Sequence, residues 1–256
     1  MIVLDAVSKS YDNGRILAVD AVSLSVERGE FVVLLGESGS GKTTTLKMIN
    51  RLIEPTSGSI TLEGQPVLEM EAHRLRRSMG YAIQGVGLFP HMRVAANVAV
   101  VPRLLGWKPE AIHARVNEVL ELVGLPAEEY RDRFPAQLSG GQQQRVGFAR
   151  ALAAKPSVML MDEPFGALDP ITRADLQAEF KSIQERLGLT VIMVTHDIFE
   201  ALLLADRIGV MWKGSLAALG TPREVLHEDK HEYVRALMCA ARDQADRLER
   251  MALDSG

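Results

Sequence analysis

The sequence predicts an α/β fold built around a parallel sheet, and three observations predict it. An apolar, β-branched run at Phe31–Leu35 has the character of a fully buried parallel strand. A glycine-rich loop, Gly36–Thr43, follows it and leads into residues with helical spacing of apolar side chains. Strand-like and helix-like segments then alternate from Val158 to Trp212. Alternation of this kind places parallel strands in one sheet with helices on its faces.

The loop after the first buried strand has the spacing of a phosphate-binding P-loop. It consists of Gly36, Glu37, Ser38, Gly39, Ser40, Gly41, Lys42 and Thr43. Its glycines let backbone N–H groups turn onto phosphate oxygens, at the start of a helix whose dipole favours negative charge. We predict that Lys42 reaches the β- and γ-phosphates, that Thr43 ligates Mg²⁺, and that the helix spans Thr44 to Ile53. A strand-to-helix turn without a ligand is the alternative.

Two carboxylates end the apolar strand that begins at Val158. We expect Asp162 to lie beside the P-loop strand and to hold Mg²⁺ through water. Glu163 is one residue further on, where it is suited to orient or deprotonate a water that attacks the γ-phosphorus. The alternative is a polar strand end that caps the next turn.

A second serine- and glycine-containing segment opens a helix that runs to about Ala154. It consists of Ser139, Gly140, Gly141 and Gln142. A hydroxyl and free N–H groups at a helix start can bind a phosphate, although a plain N-cap has the same composition. Its position between the P-loop and the carboxylate strand favours the phosphate-binding interpretation.

Four single residues are further candidates, each with a structural alternative. Gln84 ends a strand and is suited to ligate Mg²⁺ or the attacking water, or is a simple loop residue. His196 follows another strand and is suited to hydrogen-bond a γ-phosphate or to cap the next helix. Asp169 precedes Pro170 and reads as an N-cap as well as a nucleotide contact. Tyr11 is suited to stack on an adenine ring or to pack against a turn.

The remaining elements predict the domain organisation. Short strands at Ile2–Val7 and Leu17–Val26 predict an N-terminal β-rich segment. Helical patterns, including Val94–Val101 and Pro109–Val123, predict a helical subdomain inserted at about residues 86–154. We predict a nucleotide-binding domain over residues 1–220 and a helical tail over residues 221–256, with a capped helix after Thr221.

Composition limits the classes of partner. A net charge of −4 and 47% hydrophobic residues describe a globular chain without a global basic field, so we expect no nucleic acid as main partner. The single cysteine excludes an internal disulfide and fits a reducing compartment. No secretory signal or membrane-spanning run of apolar residues is present in the sequence. We therefore expect a cytoplasmic location, with no direct membrane insertion.

In order along the chain, these motifs resemble those of ATP-binding cassette (ABC) transporter nucleotide-binding subunits over about residues 1–220. The resemblance implies a P-loop NTPase (RecA-like) core with an N-terminal antiparallel β subdomain and an inserted α-helical subdomain. It implies ATP and Mg²⁺ as cofactors, and a homodimer that sandwiches two ATP molecules between the P-loop of one copy and Ser139–Gln142 of the other. It also implies that closure on ATP drives membrane subunits, with Gly85–His91 next to a short helix of the permease.

The resemblance also implies the roles of the site residues. The catalytic set is Glu163, His196, Gln84 and Lys42. The nucleotide-binding set is Tyr11, Gly36, Glu37, Ser38, Gly39, Ser40, Gly41, Lys42, Thr43, Thr44, Ser139, Gly140, Gly141, Gln142 and Asp169. The metal-binding set is Thr43, Gln84 and Asp162.

Sequence around the motifs is similar to the ATPases of quaternary-amine importers, which take up glycine betaine, choline or carnitine. The similar segments are Lys47–Pro55, Gly87–Met92, Glu129–Arg133 and Phe165–Arg173. Many of those ATPases carry a paired CBS module, which has no counterpart in these 256 residues. The resemblance implies permease subunits as partners, an extracytoplasmic solute-binding protein indirectly, and a peripheral position on the inner face of the membrane.

Three alternatives compete with this function. The first is an ABC importer ATPase for another small polar solute, such as an amino acid. The second is a soluble ABC ATPase that acts on DNA or ribosomes, a class that usually has two cassettes or a long coiled-coil insertion. The third is a P-loop kinase, which leaves Ser139–Gln142 unexplained.

Overall fold

The computed structural model describes residues 1–228 and 230–253, without the side chains of residues 13, 248, 249, 252 and 253. Residues 254–256 of the predicted tail lie outside the described part. The strands are β1 (Ile2–Tyr11), β2 (Ile16–Val26), β3 (Phe31–Leu35), β4 (Ser57–Leu62), β5 (Gln65–Pro66), β6 (Met79–Ala82), β7 (Val158–Asp162), β8 (Thr190–Thr195), β9 (Arg207–Trp212) and β10 (Ser215–Gly220). The helices are α1 (Lys42–Ile49), α2 (Ala72–Ser78), α3 (Val94–Val98), α4 (Val100–Leu104), α5 (Pro109–Leu122), α6 (Ala127–Tyr130), α7 (Gly140–Leu152), α8 (Pro170–Leu187), α9 (Ile198–Leu204), α10 (Pro222–Leu226) and α11 (Glu232–Leu253).

The larger sheet confirms the predicted α/β fold. Within the described residues it has six strands in the order β10-β9-β3-β8-β7-β6, and all neighbours are parallel except β10 and β9. One expectation about this sheet was wrong. Strand β7, which ends at Asp162, is not next to β3, because β8 lies between them. The carboxyl ends of these parallel strands still meet at one edge, which is where open α/β sheets bind ligands.

This sheet is buried on both faces. Alternate residues of β3 enter different hydrophobic clusters: Phe31 packs with the helices α5, α7 and α8, whereas Val32 packs with the smaller sheet and α1. A strand with a two-residue period and apolar side chains on both sides reads as one continuous apolar run. The β-branched pattern of β3 is therefore a direct consequence of its central position.

The second sheet is antiparallel, with the order β2-β1-β4-β5. Strand β1 extends to Tyr11, beyond the predicted end at Val7, because it pairs with β2 as far as Ile16. Strands β4 and β5 join the same sheet although they follow α1 in the sequence. Long-range pairing of this kind leaves no local signal in the sequence.

Helix α1 is shorter than predicted. It ends at Ile49, and Arg51 has a left-handed φ of 53°. The backbone N–H groups of Leu52 and Ile53 both donate to the Lys47 carbonyl oxygen, and the Leu52 side chain is 48% exposed. A compact C-terminal turn that satisfies the last carbonyls therefore replaces the predicted final turn.

Five helices, α3 to α7, lie between β6 and β7 in the described chain. The predicted helix Val94–Val101 is divided at Ala99 into α3 and α4. Helix α5 agrees with the prediction and ends before Gly124, which has a φ of 69°. Buried side chains of α3, α5 and α7 share one hydrophobic cluster with the larger sheet. The subdomain boundary at residues 86–154 stays a prediction.

The end of the chain contains an element that the sequence pattern did not indicate. Strand β10 pairs antiparallel with β9 through a turn at Lys213 and Gly214. Helix α10 has the predicted Thr221 cap, and α11 buries Val234 and Met238 in the main hydrophobic cluster. None of the helices in the described part of the chain has both the length and the hydropathy that a bilayer crossing requires.

Candidate functional site

The shape of the P-loop depends on close backbone neighbours at both of its ends. A Cβ atom at Gly36 would lie 2.3 Å from the Met211 carbonyl oxygen of β9. At Gly41, which has a φ of 102°, it would lie 2.5 Å from the Ala18 carbonyl oxygen of β2. Only glycine fits such close approaches, and a left-handed φ adds to the requirement at Gly41. Both sheets therefore support the loop from outside.

Lys42 lies inside the loop at the first turn of α1. Its Nζ atom donates to the carbonyl oxygens of Gly36 and Glu37, both at 2.7 Å, and lies 3.4 Å from Ser40 Oγ. Burial lowers the pKa of Lys42, while the nearby carboxylates, first Glu163 and then Asp162, oppose that shift. The loop thus holds an ammonium group among inward-facing carbonyls, where a phosphate oxygen is a competing partner.

Thr43 and Asp162 bring two oxygen ligands together. The Thr43 hydroxyl, in the first turn of α1, donates to Asp162 Oδ1 at 2.9 Å, although β3, which precedes α1, and β7, which ends at Asp162, are not neighbours in the sheet. Burial raises the pKa of Asp162, and the Thr43 hydrogen bond opposes the shift. A hydroxyl and a carboxylate suit Mg²⁺, which usually takes its other ligands from phosphates and water. Among the described residues no cluster of three or more His, Cys, Asp or Glu side chains forms a complete metal site.

Glu163 is the meeting point of the predicted catalytic side chains. Gln84 Nε2 donates to Glu163 Oε2 at 3.4 Å, and His196 Nδ1 lies 3.2 Å from the same oxygen. Glu163 has a left-handed φ of 44°, a strained conformation for a residue with a side chain. A cleft of about 540 Å³ opens beside these residues, lined also by Gly140, Gln144 and Leu168. Three strand ends therefore supply one polar group each to the same place.

The second glycine segment is built differently. Ser139 Oγ accepts from the Gln142 backbone N–H at 3.3 Å, and Gln142 Oε1 accepts from the Ser139 N–H at 3.0 Å, which forms a capping box. A Cβ atom at Gly140 would meet nothing within 4 Å, whereas Gly141 packs against Thr172. Within residues 1–228 and 230–253, no hydrogen bond or ion pair joins this segment to the P-loop of the same chain.

The remaining predicted nucleotide-binding residues are Asp169, Tyr11 and Thr44, and each lies in, or caps, a helix or strand that the structure describes. Asp169 Oδ1 accepts from the Thr172 N–H at 3.0 Å, so Asp169 is the N-cap of α8, and the Thr172 hydrogen bonds lower its pKa. Tyr11 ends β1 with an exposed ring, 5.3 Å from Lys9 Nζ. Thr44 is in the first turn of α1. Nucleotide contacts by these three residues stay predictions.

Two groups near the site were missed by the sequence analysis. Arg150, in the last turn of α7, donates to the carbonyl oxygens of Val86 and Gly87 and so holds the loop after Gln84. Burial raises the pKa of Glu200, which accepts at 2.7 Å from the hydroxyl of Thr195, the residue before His196. A single carboxylate in the otherwise apolar helix α9 was a usable signal for the second group. No spacing pattern in the sequence indicated that Arg150 would hold the loop after Gln84.

A family model and several known transport proteins are similar to this chain. Residues 19–166 match the family model described as ABC transporter. The chain is 49% identical over 256 residues to the glycine betaine/carnitine/choline transport ATP-binding protein OpuCA of Bacillus subtilis, covering 98% of this chain and 67% of that protein. It is 51% identical over 235 residues to the glycine betaine uptake system ATP-binding protein YehX of Escherichia coli, covering 92% and 75%. For the choline transport ATP-binding protein OpuBA of Bacillus subtilis the identity is 50%, and the chain spans only 61% of its length.

Solved structures have the same fold. The dimeric structure of MJ0796, described as a bacterial ABC transporter cassette, superposes with a TM-score of 0.77 at 36% identity, covering 87% of this chain and 99% of that one. The structure of cbiO1 from Clostridium perfringens gives a TM-score of 0.82 at 28% identity, covering 97% and 98%.

Proposed function

The chain belongs to the ABC transporter family, and from this premise we propose that it hydrolyses ATP as the ATPase subunit of an importer. The single observation that carries the proposal is the convergence of Gln84, Glu163 and His196 beside the P-loop and its buried Lys42. A carboxylate that contacts two hydrogen-bonding side chains is positioned to accept a proton from a water. A site without these side chains would bind a nucleotide but lack a base.

The residues divide the work between binding and hydrolysis. The P-loop N–H groups and Lys42 bind the phosphates and stabilise charge on them during transfer. Glu163 orients and deprotonates the attacking water, while Gln84 and His196 hold the carboxylate and the terminal phosphate. Thr43 and Asp162 would hold Mg²⁺, which would neutralise phosphate charge there. Tyr11 stacks on the adenine ring, an arrangement that its exposed ring allows.

The active unit is a head-to-tail homodimer. Each chain has one P-loop and one outward-facing Ser139–Gln142 segment with open space at Gly140, so two copies complete two equivalent sites. Mixing a Lys42→Ala chain with a Gly140→Asp chain tests this arrangement, because the mixed dimer has one site without either change. We expect hydrolysis to reappear on mixing two inactive chains. A mixture that stays inactive while forming dimers contradicts the composite site.

The transported solute is a quaternary amine of the glycine betaine, choline or carnitine type. Support comes from relatives named for these solutes at 49–51% identity. A relative from Acidothermus cellulolyticus is named for spermidine and putrescine and is 48% identical over 235 residues. That observation favours importers of other small polar solutes as the second candidate, since the ATPase subunit does not contact the solute.

The permease docks on a groove beside the helical block. A cavity of about 520 Å³ has apolar walls from Ala95, Ala99, Ile112 and Val116, with Arg103 at its edge. Its size and character suit a short helix of a membrane subunit, and such contact places the chain on the inner face of the membrane. The predicted contact loop Gly85–His91 is held next to this block by Arg150 and by the Asn97 side chain.

Two measurements test the proposed function. Phosphate release from ATP without any acceptor distinguishes an ATPase from a kinase, and we expect release that requires Mg²⁺. Affinity purification from detergent-solubilised membranes, followed by mass spectrometry, identifies the partners. We expect a multi-span permease and a quaternary-amine-binding protein. Recovery with ribosomes or DNA instead would leave the ATPase chemistry and overturn the importer assignment.

A further inference from the structure

The turn between β9 and β10 contacts the P-loop at two points. The Met211 carbonyl oxygen faces Gly36 so closely that a Cβ atom would lie 2.3 Å from it. The Gly214 backbone N–H donates to the Ser40 carbonyl oxygen at 3.1 Å. Trp212 stands between these two contacts in the chain. Trp212 is therefore flanked in the chain by two residues that contact the P-loop, at Gly36 and at Ser40.

The ring of Trp212 is covered by the tail helix α11. Tyr233 stacks on it with ring centroids 4.0 Å apart and an interplanar angle of 19°. Lys213 Nζ lies 5.0 Å from the centroid of the same indole ring. Helix α11 is held in place by Val234 and Met238, which are buried in the main hydrophobic cluster. The stacked pair is thus a rigid connection between the core-packed tail and the turn.

The hydroxyl end of Tyr233 lies near Glu37 of the P-loop. Its hydroxyl oxygen is buried and has no well-aligned hydrogen-bond partner within the described residues. Burial raises the pKa of Tyr233, the Glu37 carboxylate raises it further, and the Glu37 backbone N–H opposes both. Glu37 is also the residue whose carbonyl accepts from Lys42. The tyrosine therefore stacks on Trp212 with its ring, and its hydroxyl end lies near Glu37 of the P-loop.

We propose that Tyr233 is a positioning residue of the nucleotide site: through its stack on Trp212, the tail helix holds the P-loop in its phosphate-binding shape. This inference rests on the proposed function, and it assigns a role to the tail. When a phosphate replaces the Gly36 and Glu37 carbonyls as the partner of Lys42, the loop backbone is kept in place from outside. Loss of the ring weakens binding of the nucleotide without removing any group that touches it.

Fluorescence offers a direct test, because the sequence has only two tryptophans, Trp107 and Trp212. In a Trp107→Phe background, we expect addition of ADP to change the emission of Trp212. Tyr233→Ala in that background should remove this response. It should also raise the Kd for ADP roughly threefold to tenfold, the range expected for loss of an aromatic pair. In steady-state hydrolysis we expect KM for ATP to rise while kcat stays within about twofold.

Two matched variants separate the ring from its hydroxyl and from the tail as a whole. Tyr233→Phe keeps the stack and should preserve the response and the affinity. Leu237→Ala removes apolar contact one helical turn away and should preserve them also. If circular dichroism shows that Tyr233→Ala is not folded, Tyr233→Leu replaces it. The leucine keeps apolar bulk at this position but cannot stack on Trp212.

The outcomes are distinguishable. Unchanged ADP affinity and Trp212 response in both Tyr233→Ala and Tyr233→Leu overturn the inference. Equal losses of ADP affinity and of the Trp212 response in Leu237→Ala or Tyr233→Phe also overturn the inference, because the ring stack is then not what supports the P-loop. If the Trp107→Phe background binds no ADP by equilibrium dialysis, the proposed function is wrong and this inference falls with it. Normal dialysis with an unaffected Trp212 response leaves the function intact and contradicts only the role of Tyr233.

Discussion

The P-loop and the Ser139–Gln142 segment have similar compositions but opposite surroundings. The P-loop packs against β2 and β9, and its lysine is buried among loop carbonyls. Ser139–Gln142 satisfies its own helix start by a capping box and leaves open space in front of Gly140. A loop that holds the phosphates of its own chain's nucleotide needs support from the surrounding backbone. A segment that is complete in itself and open in front is suited to a ligand held by another chain.

The largest expected effect is in hydrolysis and tests the P-loop side of the comparison. Glu163→Gln removes the proposed base but keeps the side-chain size, so we expect hydrolysis to fall roughly 10²–10⁴-fold. ATP binding and nucleotide-dependent dimer formation should persist, as measured by equilibrium dialysis and gel filtration. Turnover close to that of the unchanged chain would remove Glu163 from its assigned role.

The second effect contrasts the two segments in nucleotide affinity. Lys42→Ala should raise the Kd of the single chain for ADP roughly tenfold to hundredfold, since hydrogen bonds to charged groups contribute about 1.5–3 kcal/mol. Ser139→Ala should change that Kd by less than about twofold, because in the proposed dimer the segment acts on the nucleotide of the other copy. Lys47→Ala, on the same helix, controls for loss of charge. Equal losses from Lys42→Ala and Ser139→Ala would break the comparison.

The third effect compares the same substitution in both segments by urea unfolding. Gly41→Ala places a side chain at a φ of 102° and 2.5 Å from the Ala18 carbonyl oxygen. We expect it to lower the free energy of unfolding by about 1–3 kcal/mol. Gly140→Ala meets open space at a helix start and should leave the free energy unchanged or raise it by up to about 1 kcal/mol. Comparable destabilisation by both would show that Gly140 is not open.

The smallest effect concerns Glu200, the buried carboxylate that accepts a hydrogen bond from Thr195, next to His196 in the chain. Burial raises the pKa of Glu200 above its ordinary value of 4.5, so the folded chain binds this proton more tightly than the unfolded chain. The free energy of unfolding should therefore fall as pH rises from 4.5 through the folded pKa. Glu200→Gln cannot titrate, and its stability should decline less over that interval. Parallel pH profiles from urea unfolding would contradict the assignment.

The sequence predicted most of the site because its signals are local. Gly36–Thr43 needs its glycines for backbone shape, and Asp162 and Glu163 end an apolar strand, so spacing alone indicates their chemistry. Helix α8 was predicted with its cap because Asp169 and Pro170 act on adjacent backbone groups. The end of α1 was not predicted correctly, because the turn there needs a left-handed backbone at Arg51, and no glycine marks that position in the sequence.

The sequence by itself determined the α/β class, the order of the motifs and the residue types of the candidate site. Tertiary structure alone decided which strands are neighbours, that β8 separates β3 from β7, and that Gln84, Glu163 and His196 meet. It also brought Tyr233 onto Trp212 behind the P-loop. The physical reason is the distance along the chain over which each interaction acts. Backbone conformation and capping depend on a few neighbouring residues, whereas sheet order and side-chain stacking join residues far apart in the chain through burial of apolar surface.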